Sequence, residues 1–219
     1  MNFLHFLYPS LFARDDPFVV SMQTPIVKIN IRSQELTFYR EENYIRFMRE
    51  QEDPSKLKTK YYKGLGTSSD KEVKNTFGKK VIEFTQDEDA FDNMNKVFSS
   101  KQSDERKRWL AEYDPDHIIE ETSEVFTDMS ISDFLNYDMI KFSIDDCKRS
   151  IPNLYDGLKQ SQRKILFAPL LKGLRHGGKS MKVAQLAGFV AEKTNYHHGE
   201  QCLNETITKM AQDYPGANN

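Results

Sequence analysis

The stretch KVAQLAGFVAEKTNYHHGEQCLNETITKMAQ, residues 182–212, predicts two helices joined by a short polar turn. Its first half repeats apolar residues every three or four positions, as one face of a helix does: Val183, Leu186, Ala187, Val190 and Ala191. After the turn at 194–199, Leu203, Ile207 and Met210 repeat this spacing. Two short helices around a tight turn are typical of a helix-turn-helix, whose second helix enters the DNA major groove. Because an ordinary core hairpin has the same pattern, periodicity leaves both interpretations open.

Two histidines stand at the end of this turn, next to a predicted helix start. His197 and His198 precede Gly199, and backbone N–H groups at a helix N-terminus attract anions. An imidazole donates a hydrogen bond to phosphate in either protonation state. A metal is the alternative ligand, but adjacent histidines rarely share one ion without further ligands, so we expect an anion.

The upstream stretch SIPNLYDGLKQSQRKILF, residues 150–167, predicts an extended turn and then a helix, because Pro152 restricts the backbone before it. Lys159 and Arg163 lie four positions apart and share a helical face, with Lys164 beside them. Cations on one face suit contact with phosphates, but a solvated helix face has the same spacing. The residues expected to pack are Leu158, Ile165, Leu166 and Phe167.

A third stretch, KYYKGLGTSS at 60–69, joins a predicted strand to a predicted helix. Gly64 and Gly66 permit a close backbone approach or a positive φ. Ser69 and Glu72 have the spacing of a capping box. A glycine turn before a helix can hold an anion, but the lysine–serine ending of a P-loop is absent, so the residues alone favour a structural turn.

The formal net charge of −2 hides an asymmetry along the chain. From Lys148 onward there are 11 Lys and Arg against 5 Asp and Glu, a net +6, and the preceding residues carry −8. Four of these cations lie in a glycine-rich loop at 172–182, as in a flexible loop beside DNA. A basic C-terminal third indicates a polyanionic partner. Charge alone does not separate DNA from RNA or an acidic protein.

Composition indicates one large or two small folded domains, with a hydrophobic share of 38%. No apolar run approaches the ~20 residues of a membrane span. Cys147 and Cys202 stand outside any metal-ligand spacing and predict reduced thiols in an intracellular protein.

The remaining pattern predicts an alternation of strands and helices before the basic third. Expected helices cover 2–12, 41–50, 70–77, 101–113 with Ser103 as N-cap, and the run from Ser130 toward Cys147. Expected strands cover 24–32, 36–39, 58–62 and 81–84, the first two forming a hairpin. The acidic, poorly periodic residues 114–129 are interpreted as a linker. The acidic run 87–89 is assigned to helix capping rather than to a metal.

The three quoted stretches resemble type IIA DNA topoisomerases and follow that family's order along the chain. KVAQLAGFVAE, YHHGE and TITKMAQ resemble the winged-helix region, SIPNLYDGLKQSQRKILF the opening of the DNA-gate domain, and KYYKGLGTSS the end of the Toprim domain. Bacterial members carry the Toprim and winged-helix parts on separate polypeptides, so one chain with both resembles the eukaryotic and large-DNA-virus enzymes. The implied fold is the α/β end of a Toprim domain at 1–85, mostly helical linker residues 86–148, and the start of a winged-helix DNA-gate domain at 149–219.

This resemblance implies an internal fragment of an ATP-dependent type II topoisomerase, which cleaves a gate duplex, passes a second duplex and religates the break. Magnesium and ATP are expected in the full-length enzyme and neither in this fragment. The nucleophilic tyrosine is expected beyond Asn219, and the metal-binding carboxylates before residue 1. The expected setting is a homodimer on double-stranded DNA, without a membrane, in the nucleus or, for a virus, in the host cell or virus factory.

The resemblance also implies site residues. Arg106 and Lys107 match a basic pair that contacts the DNA backbone, and Lys159 matches the lysine of an Asp-Gly-Leu-Lys motif. The implied Toprim motif is Lys63, Gly64, Leu65 and Gly66. The full expected DNA-contact set is Arg106, Lys107, Lys159, Arg163, Lys164, Tyr196, His197, His198 and Cys202.

Several implied positions lie at the start of the last predicted helix. Tyr196 and Cys202 occupy DNA-contact positions, although eukaryotic members usually carry serine at the second, and a thiol is a weaker hydrogen-bond partner. Gln201 and Glu205 fall where topoisomerase poisons contact the protein.

Two other classes of function stay open. One is a non-catalytic helix-turn-helix DNA-binding module, which accounts for the basic third but not for KYYKGLGTSS. The other is an interaction fragment whose basic face meets protein. Salt dependence separates them, because binding to several phosphates weakens steeply as salt rises.

Overall fold

The computed structural model of the chain describes residues 1–31, 34–62, 68–122, 124–196 and 199–214. The chain divides into two compact units, residues 1–141 and residues 142–219, called unit 1 and unit 2 below. The predicted domain bounds at 85 and 148 stay a prediction.

Unit 1 mixes strands and helices. Its strands are β1 (Val20–Met22), β2 (Val27–Ile31), β3 (Gln34–Phe38), β4 (Lys58–Tyr61), β5 (Val81–Thr85) and β6 (Phe126–Ser130). Its helices are α1 (Asn2–Leu7), α2 (Glu41–Arg49), α3 (Asp70–Thr76), α4 (Ala90–Phe98), α5 (Ser103–Ala111) and α6 (Ile131–Asp133). A π-helical segment, Phe134–Met139, links α6 to α7 (Ile140–Ser150), and short 3-10 turns cover Pro9–Leu11 and Pro54–Lys56.

The strands β3, β2 and β4 lie side by side in an antiparallel sheet. The predicted hairpin is confirmed, because β2 pairs with β3 from Val27 opposite Phe38 to Ile31 opposite Gln34. Val27 and Ile29 are buried, so one face of β2 lies in the core. Residues 32–33 lie outside the described residues.

The strands β1, β5 and β6 form a second sheet, in which β5 pairs with β1 antiparallel and with β6 parallel. Ile82, Phe84 and Met129 bury their side chains together on this sheet. The interpretation of 114–129 as linker was therefore wrong for its last residues, which belong to β6. Because Met129 is the one buried side chain of β6, the alternation that marks a strand is faint in the sequence.

Three predicted helix starts and ends need correction. The first helix ends at Leu7, since Pro9 supplies no backbone N–H and a 3-10 turn follows. Ser103 is the first residue of α5, and Gln102 precedes it as N-cap without a side-chain bond. In the acidic run, Asp89 makes no capping bond at α4. Asp87 instead accepts hydrogen bonds from the N–H (3.0 Å) and hydroxyl (2.5 Å) of Ser132, so it caps α6.

Unit 2 contains the rest of α7 and the helices α8 (Gln160–Lys172), α9 (Val183–Thr194) and α10 (Glu200–Met210). The two helices predicted within 182–212 are therefore present as α9 and α10. The unit-2 core is built by Ile165, Ala168, Ala187, Val190, Tyr196, Leu203 and Ile207.

One side of α8 differs from the prediction. Leu166 and Phe167 are 48% and 51% exposed, because Ile165 and Ala168 occupy the helix face that meets the core. The helix ends at Gly173, whose φ of 72° suits glycine and allows the closing bond from Leu174 to Pro169 (3.0 Å). No helix of the described ranges is long and apolar enough to cross a membrane.

Candidate nucleic-acid interface

A closed turn at 153–159 leads into α8. The Asn153 N–H donates to the Leu158 carbonyl (3.0 Å), and the Gly157 N–H donates to the Asn153 carbonyl (2.9 Å). The Leu158 N–H donates to the Asp156 carboxylate (3.0 Å). Gly157 has a φ of +67°, a conformation that glycine adopts without steric cost. The turn is therefore fixed by its own backbone bonds.

Arg163 holds the turn from inside α8. Its Nε and Nη2 atoms each lie 2.8 Å from an oxygen of Asp156, and Nη2 also donates to the Leu158 carbonyl (3.3 Å). This guanidinium, with the Leu158 N–H as a second donor, lowers the pKa of Asp156 to about 2. Arg163 therefore neutralises Asp156 and is not an open phosphate ligand.

Lys159 has the opposite arrangement. It is the residue before α8, and its backbone N–H donates to the Gln162 side chain (2.8 Å). Its exposed ammonium has no partner among the described residues. The positive end of the α8 dipole adds to this charge, so the helix start presents an uncompensated cation.

Lys164 makes a third kind of contact. Its Nζ donates to the Asn195 carbonyl (3.2 Å) at the end of α9. Asn195 adopts the left-handed conformation (φ 47°) that commonly ends a helix. Because a carbonyl is neutral, Lys164 keeps its full charge while it holds α8 against the end of α9.

The start of α10 joins a core residue to exposed polar ones. The Tyr196 ring is 7% exposed, and burial first, then contact with Cys202, raises the pKa of its phenol. Cys202 itself is exposed. Gln201 donates to Glu205 (3.2 Å), so the two predicted poison-contact positions contact each other. His197 and His198 lie outside the described residues.

Two adjacent basic residues of α5, Arg106 and Lys107, also differ from each other. Arg106 donates to the carbonyls of Ser99 and Lys96 (3.4 Å to the latter) and so satisfies the end of α4. Lys107 pairs with Asp104 at 2.8 Å, and both side chains are 78% exposed. Arg106 is thus structural in these contacts, whereas a surface pair like that of Lys107 is weak enough to open toward an anion.

Residues on both sides of the glycine motif meet at Glu72. Its carboxylate accepts from the Lys60 ammonium (2.6 Å), the Tyr62 hydroxyl, and the N–H (2.8 Å) and hydroxyl (2.9 Å) of Ser69. These donors, Lys60 first, hold the pKa of Glu72 well below its usual range. The predicted capping box of Ser69 and Glu72 is confirmed, and Glu72 also contacts Lys60 of β4. The motif itself, Lys63, Gly64, Leu65 and Gly66, lies outside the described residues.

The cations of unit 2 form a feature that sequence spacing did not reveal. Within the described part of unit 2, seven of them have no carboxylate partner within salt-bridge distance: Lys159, Lys164, Lys172, Arg175, Lys179, Lys182 and Lys209. Lys172 instead lies 4.6 Å from the centre of the Phe189 ring. The low acid content from residue 148 onward indicates that some cations of unit 2 have no carboxylate partner. It does not indicate which cations these are.

The described residues do not fit a metal. Within those ranges no three His, Cys, Asp or Glu side chains are grouped as they are around an ion. Two of the described carboxylates, Asp87 and Glu72, instead accept hydrogen bonds from neighbouring side chains. We therefore assign no step of a reaction to a metal held by these residues.

Known proteins match the chain along its length. Residues 22–147 match the family model of the C-terminal associated domain of TOPRIM, and residues 149–219 match that of DNA gyrase/topoisomerase IV. DNA topoisomerase 2 of Invertebrate iridescent virus 6 is 43% identical over the whole chain. The chain belongs to the type II DNA topoisomerases.

Other type II topoisomerases give the same match. DNA topoisomerase 2 of Saccharomyces cerevisiae is 39% identical over the whole chain. The chain covers 20% of the viral relative and 15% of the yeast relative, so it spans a small part of each. The crystal structure of the Plasmodium falciparum topoisomerase II DNA-binding, cleavage and re-ligation domain superimposes with a TM-score of 0.76 and 38% identity, covering 99% of this chain and 29% of that one.

Proposed function

We propose that this chain is an internal part of an ATP-dependent type II DNA topoisomerase, where it grips the gate duplex during double-strand cleavage, passage and religation. Its whole-length similarity to DNA topoisomerase 2 proteins supports this function. The observation that carries DNA binding is the set of unit-2 cations without described carboxylate partners. A duplex carries one negative charge per about 1.7 Å and releases counterions when such cations bind.

The predicted division of the chain becomes part of the proposal. Residues 1–85 form the C-terminal part of the Toprim domain, residues 86–148 form linker helices, and residues 149–219 form the start of the winged-helix DNA-gate domain. In this arrangement α9 and α10 are the helix-turn-helix, with α10 directed at the major groove.

The nine proposed contact residues act in different ways. Lys159 and Lys107 meet phosphates directly, because both ammonium groups are exposed. Arg106 and Arg163 act mainly by fixing the backbone around them. Lys164 adds positive charge from its site at the end of α9. The positions around the α10 start complete the set: Tyr196, His197, His198 and Cys202.

Other parts of the proposed enzyme lie outside the described contacts. The nucleophilic tyrosine and the carboxylates for magnesium come from outside 1–219, and ATP binds a separate domain. Magnesium supplies charge stabilisation at the cleaved phosphate. The enzyme works as a homodimer, in the nucleus of a cell or in the virus factory of an infected one.

Binding of the chain to a panel of unrelated ~30-base-pair duplexes tests the DNA-binding part. We expect similar affinity for every sequence and a steep linear fall of log K with log salt. A site-specific helix-turn-helix factor would instead prefer one sequence by about a thousandfold or more. Absence of duplex binding would favour a protein partner and contradict the proposal.

A segment exchange tests the topoisomerase part. This chain replaces the matching segment of Saccharomyces cerevisiae DNA topoisomerase 2, and relaxation of supercoiled plasmid is measured with ATP and magnesium. We expect relaxation, reduced by Lys159→Ala. A chimera that is folded and binds duplex but leaves the plasmid supercoiled would contradict the assignment.

A further inference from the structure

The tip of the turn at 153–159 carries an apolar pair that the proposed phosphate contacts do not use. Leu154 and Tyr155 are 94% and 96% exposed, the highest values among the large hydrophobic side chains in the described ranges. Removing such apolar area from water is favourable when a partner covers it. An exposed apolar pair at the tip of a turn is therefore a candidate contact.

The pair is held in place by the turn beneath it. The Tyr155 N–H donates to the Asn153 side chain (2.9 Å), and Asn153 is itself bonded to Leu158. On the other side, Asp156 is clamped by Arg163. The exposure is thus a property of a fixed turn, and a pre-organised contact loses little conformational entropy on binding.

The surrounding charge selects the partner. Residues 148–164 contain five Lys and Arg, and their one acid, Asp156, is already neutralised by Arg163. Lys148 and Arg149 pair with aspartates of α7. Lys159, four positions after Tyr155, stays open. A partner with both phosphates and apolar surface fits this combination, and a DNA groove offers both, since its sugars and base edges accept apolar side chains.

We propose that Leu154 and Tyr155 make an apolar contact with the groove of the bound duplex, beside the phosphate that Lys159 holds. The proposal rests on the DNA-binding function proposed above and extends it to residues with no charge. Lys159 supplies the salt-dependent part of the local affinity. The apolar pair supplies a part that salt does not screen.

The test measures duplex affinity of the full chain across salt concentrations. Leu154→Ser with Tyr155→Ser should weaken binding about tenfold at every salt concentration and leave the slope of log K against log salt unchanged. Lys159→Ala should lower that slope by about 0.9, as for the loss of one phosphate contact. Leu170→Ser with Leu171→Ser is the matched control, since these residues are 68% and 55% exposed in the same unit, and it should stay within about twofold of the parent.

The outcomes separate this inference from the function on which it rests. If the parent chain does not bind duplex, the proposed function fails first. If the parent binds with a steep slope and the Leu154/Tyr155 variant matches the control variant, this inference alone is overturned.

A crosslinking experiment avoids dependence on a destabilised variant. Benzoylphenylalanine in place of Tyr155 should crosslink to a strand of the duplex on irradiation, and Tyr155→Phe should bind as the parent does. Crosslinking to a second protein chain, with none to DNA, would assign the pair to a protein contact and overturn the proposal.

Discussion

The two units of this chain use their cations differently. In the described part of unit 1, nine of the 18 cations pair with an acid of the same unit, as Arg40 does with Asp138 (2.5 Å) and Lys141 with Glu42 (2.5 Å). In the described part of unit 2, seven cations have no carboxylate within salt-bridge distance. Acids outnumber cations 28 to 20 before residue 148, whereas cations outnumber acids 11 to 5 from there onward. The open cations of unit 1 therefore lie among an excess of acids, and those of unit 2 lie among few acids and are available to an external polyanion.

The same contrast occurs between neighbouring residues. Arg106 satisfies helix carbonyls while Lys107 stays exposed. Arg163 neutralises Asp156 while Lys159 stays open. A basic motif in the sequence is thus a mixture of cations that build the local fold and cations that are free to bind.

The largest expected effect is on the stability of unit 1. Arg40→Ala removes both bonds to Asp138 (2.5 and 3.0 Å), in a pair whose side chains are 12% and 23% exposed. Leaving the partly buried Asp138 carboxylate unpaired should cost about 3 kcal/mol in the free energy of unfolding. Denaturant unfolding measures this loss.

Lys56→Ala is the control, because its pair with Asp53 is largely exposed and should contribute no measurable stability. The salt slope of duplex binding should be the same in both variants. If Arg40→Ala folds but changes the salt slope, Arg40 contributes to duplex binding, and the proposed difference between the units is contradicted.

The next effect distinguishes Arg106 from Lys107 in α5. Arg106→Ala leaves the Ser99 and Lys96 carbonyls without their charged donor and should destabilise the chain by about 2 kcal/mol. Lys107→Ala should leave the stability unchanged within error, because its pair with Asp104 is exposed, and should weaken duplex binding. Thermal unfolding and fluorescence anisotropy measure the two effects, and equal destabilisation by both variants would refute the distinction.

A smaller effect concerns the turn of unit 2. Lys159→Ala should weaken duplex binding about fivefold, the loss of ~1 kcal/mol for one phosphate contact at moderate salt, with no change in stability. Asp156→Asn should do the reverse and strengthen binding, because it removes a negative charge and frees Arg163. Titration at matched salt checks both, and weaker binding by Asp156→Asn would contradict this role of Arg163.

Much of the local structure was predictable because its determinants lie close together in sequence. The β2–β3 hairpin and the Ser69–Glu72 capping box follow from alternation and from a three-residue spacing. The helices α9 and α10 follow from apolar repeats. Their apolar residues do form the unit-2 core, as Val190 and Leu203 show.

The features that the sequence did not predict share a physical cause. In each of them a residue contacts a partner that is distant in sequence or lies outside the same helix. The parallel pairing of β6 with β5 brings Phe126 opposite Val81, and no local pattern records it. The bond from Ser132 to Asp87 spans 45 positions. Arg163 finds Asp156 in the preceding turn, where helical spacing does not apply.

The smallest expected effect is on how the stability of the turn at 153–159 depends on pH. Arg163 lowers the pKa of Asp156 from 3.8 to about 2, so the contact stabilises the folded turn fully above pH 3.8 and is lost as the pH falls through about 2. The amide signal of Leu158, which donates to Asp156, should shift in an NMR titration with a midpoint near pH 2. Asp156→Asn should abolish the shift, and a midpoint near 3.8 would mean that the contact does not form in solution.

Duplex affinity is expected to come mainly from the open cations of unit 2, with Lys107 as the proposed phosphate contact of unit 1, and not from net charge. Two triple variants of equal charge test it through the slope of log K against log salt. One changes the open residues Lys159, Lys179 and Lys182 to alanine. The other changes Arg14, Lys56 and Arg108 of unit 1, which are exposed, paired and outside the proposed set of DNA contacts, to alanine. We predict that the first lowers the slope by about 2 to 3 and that the second leaves it unchanged. If both variants change the slope equally, or if the second changes it more, the open cations of unit 2 are not the main source of duplex affinity.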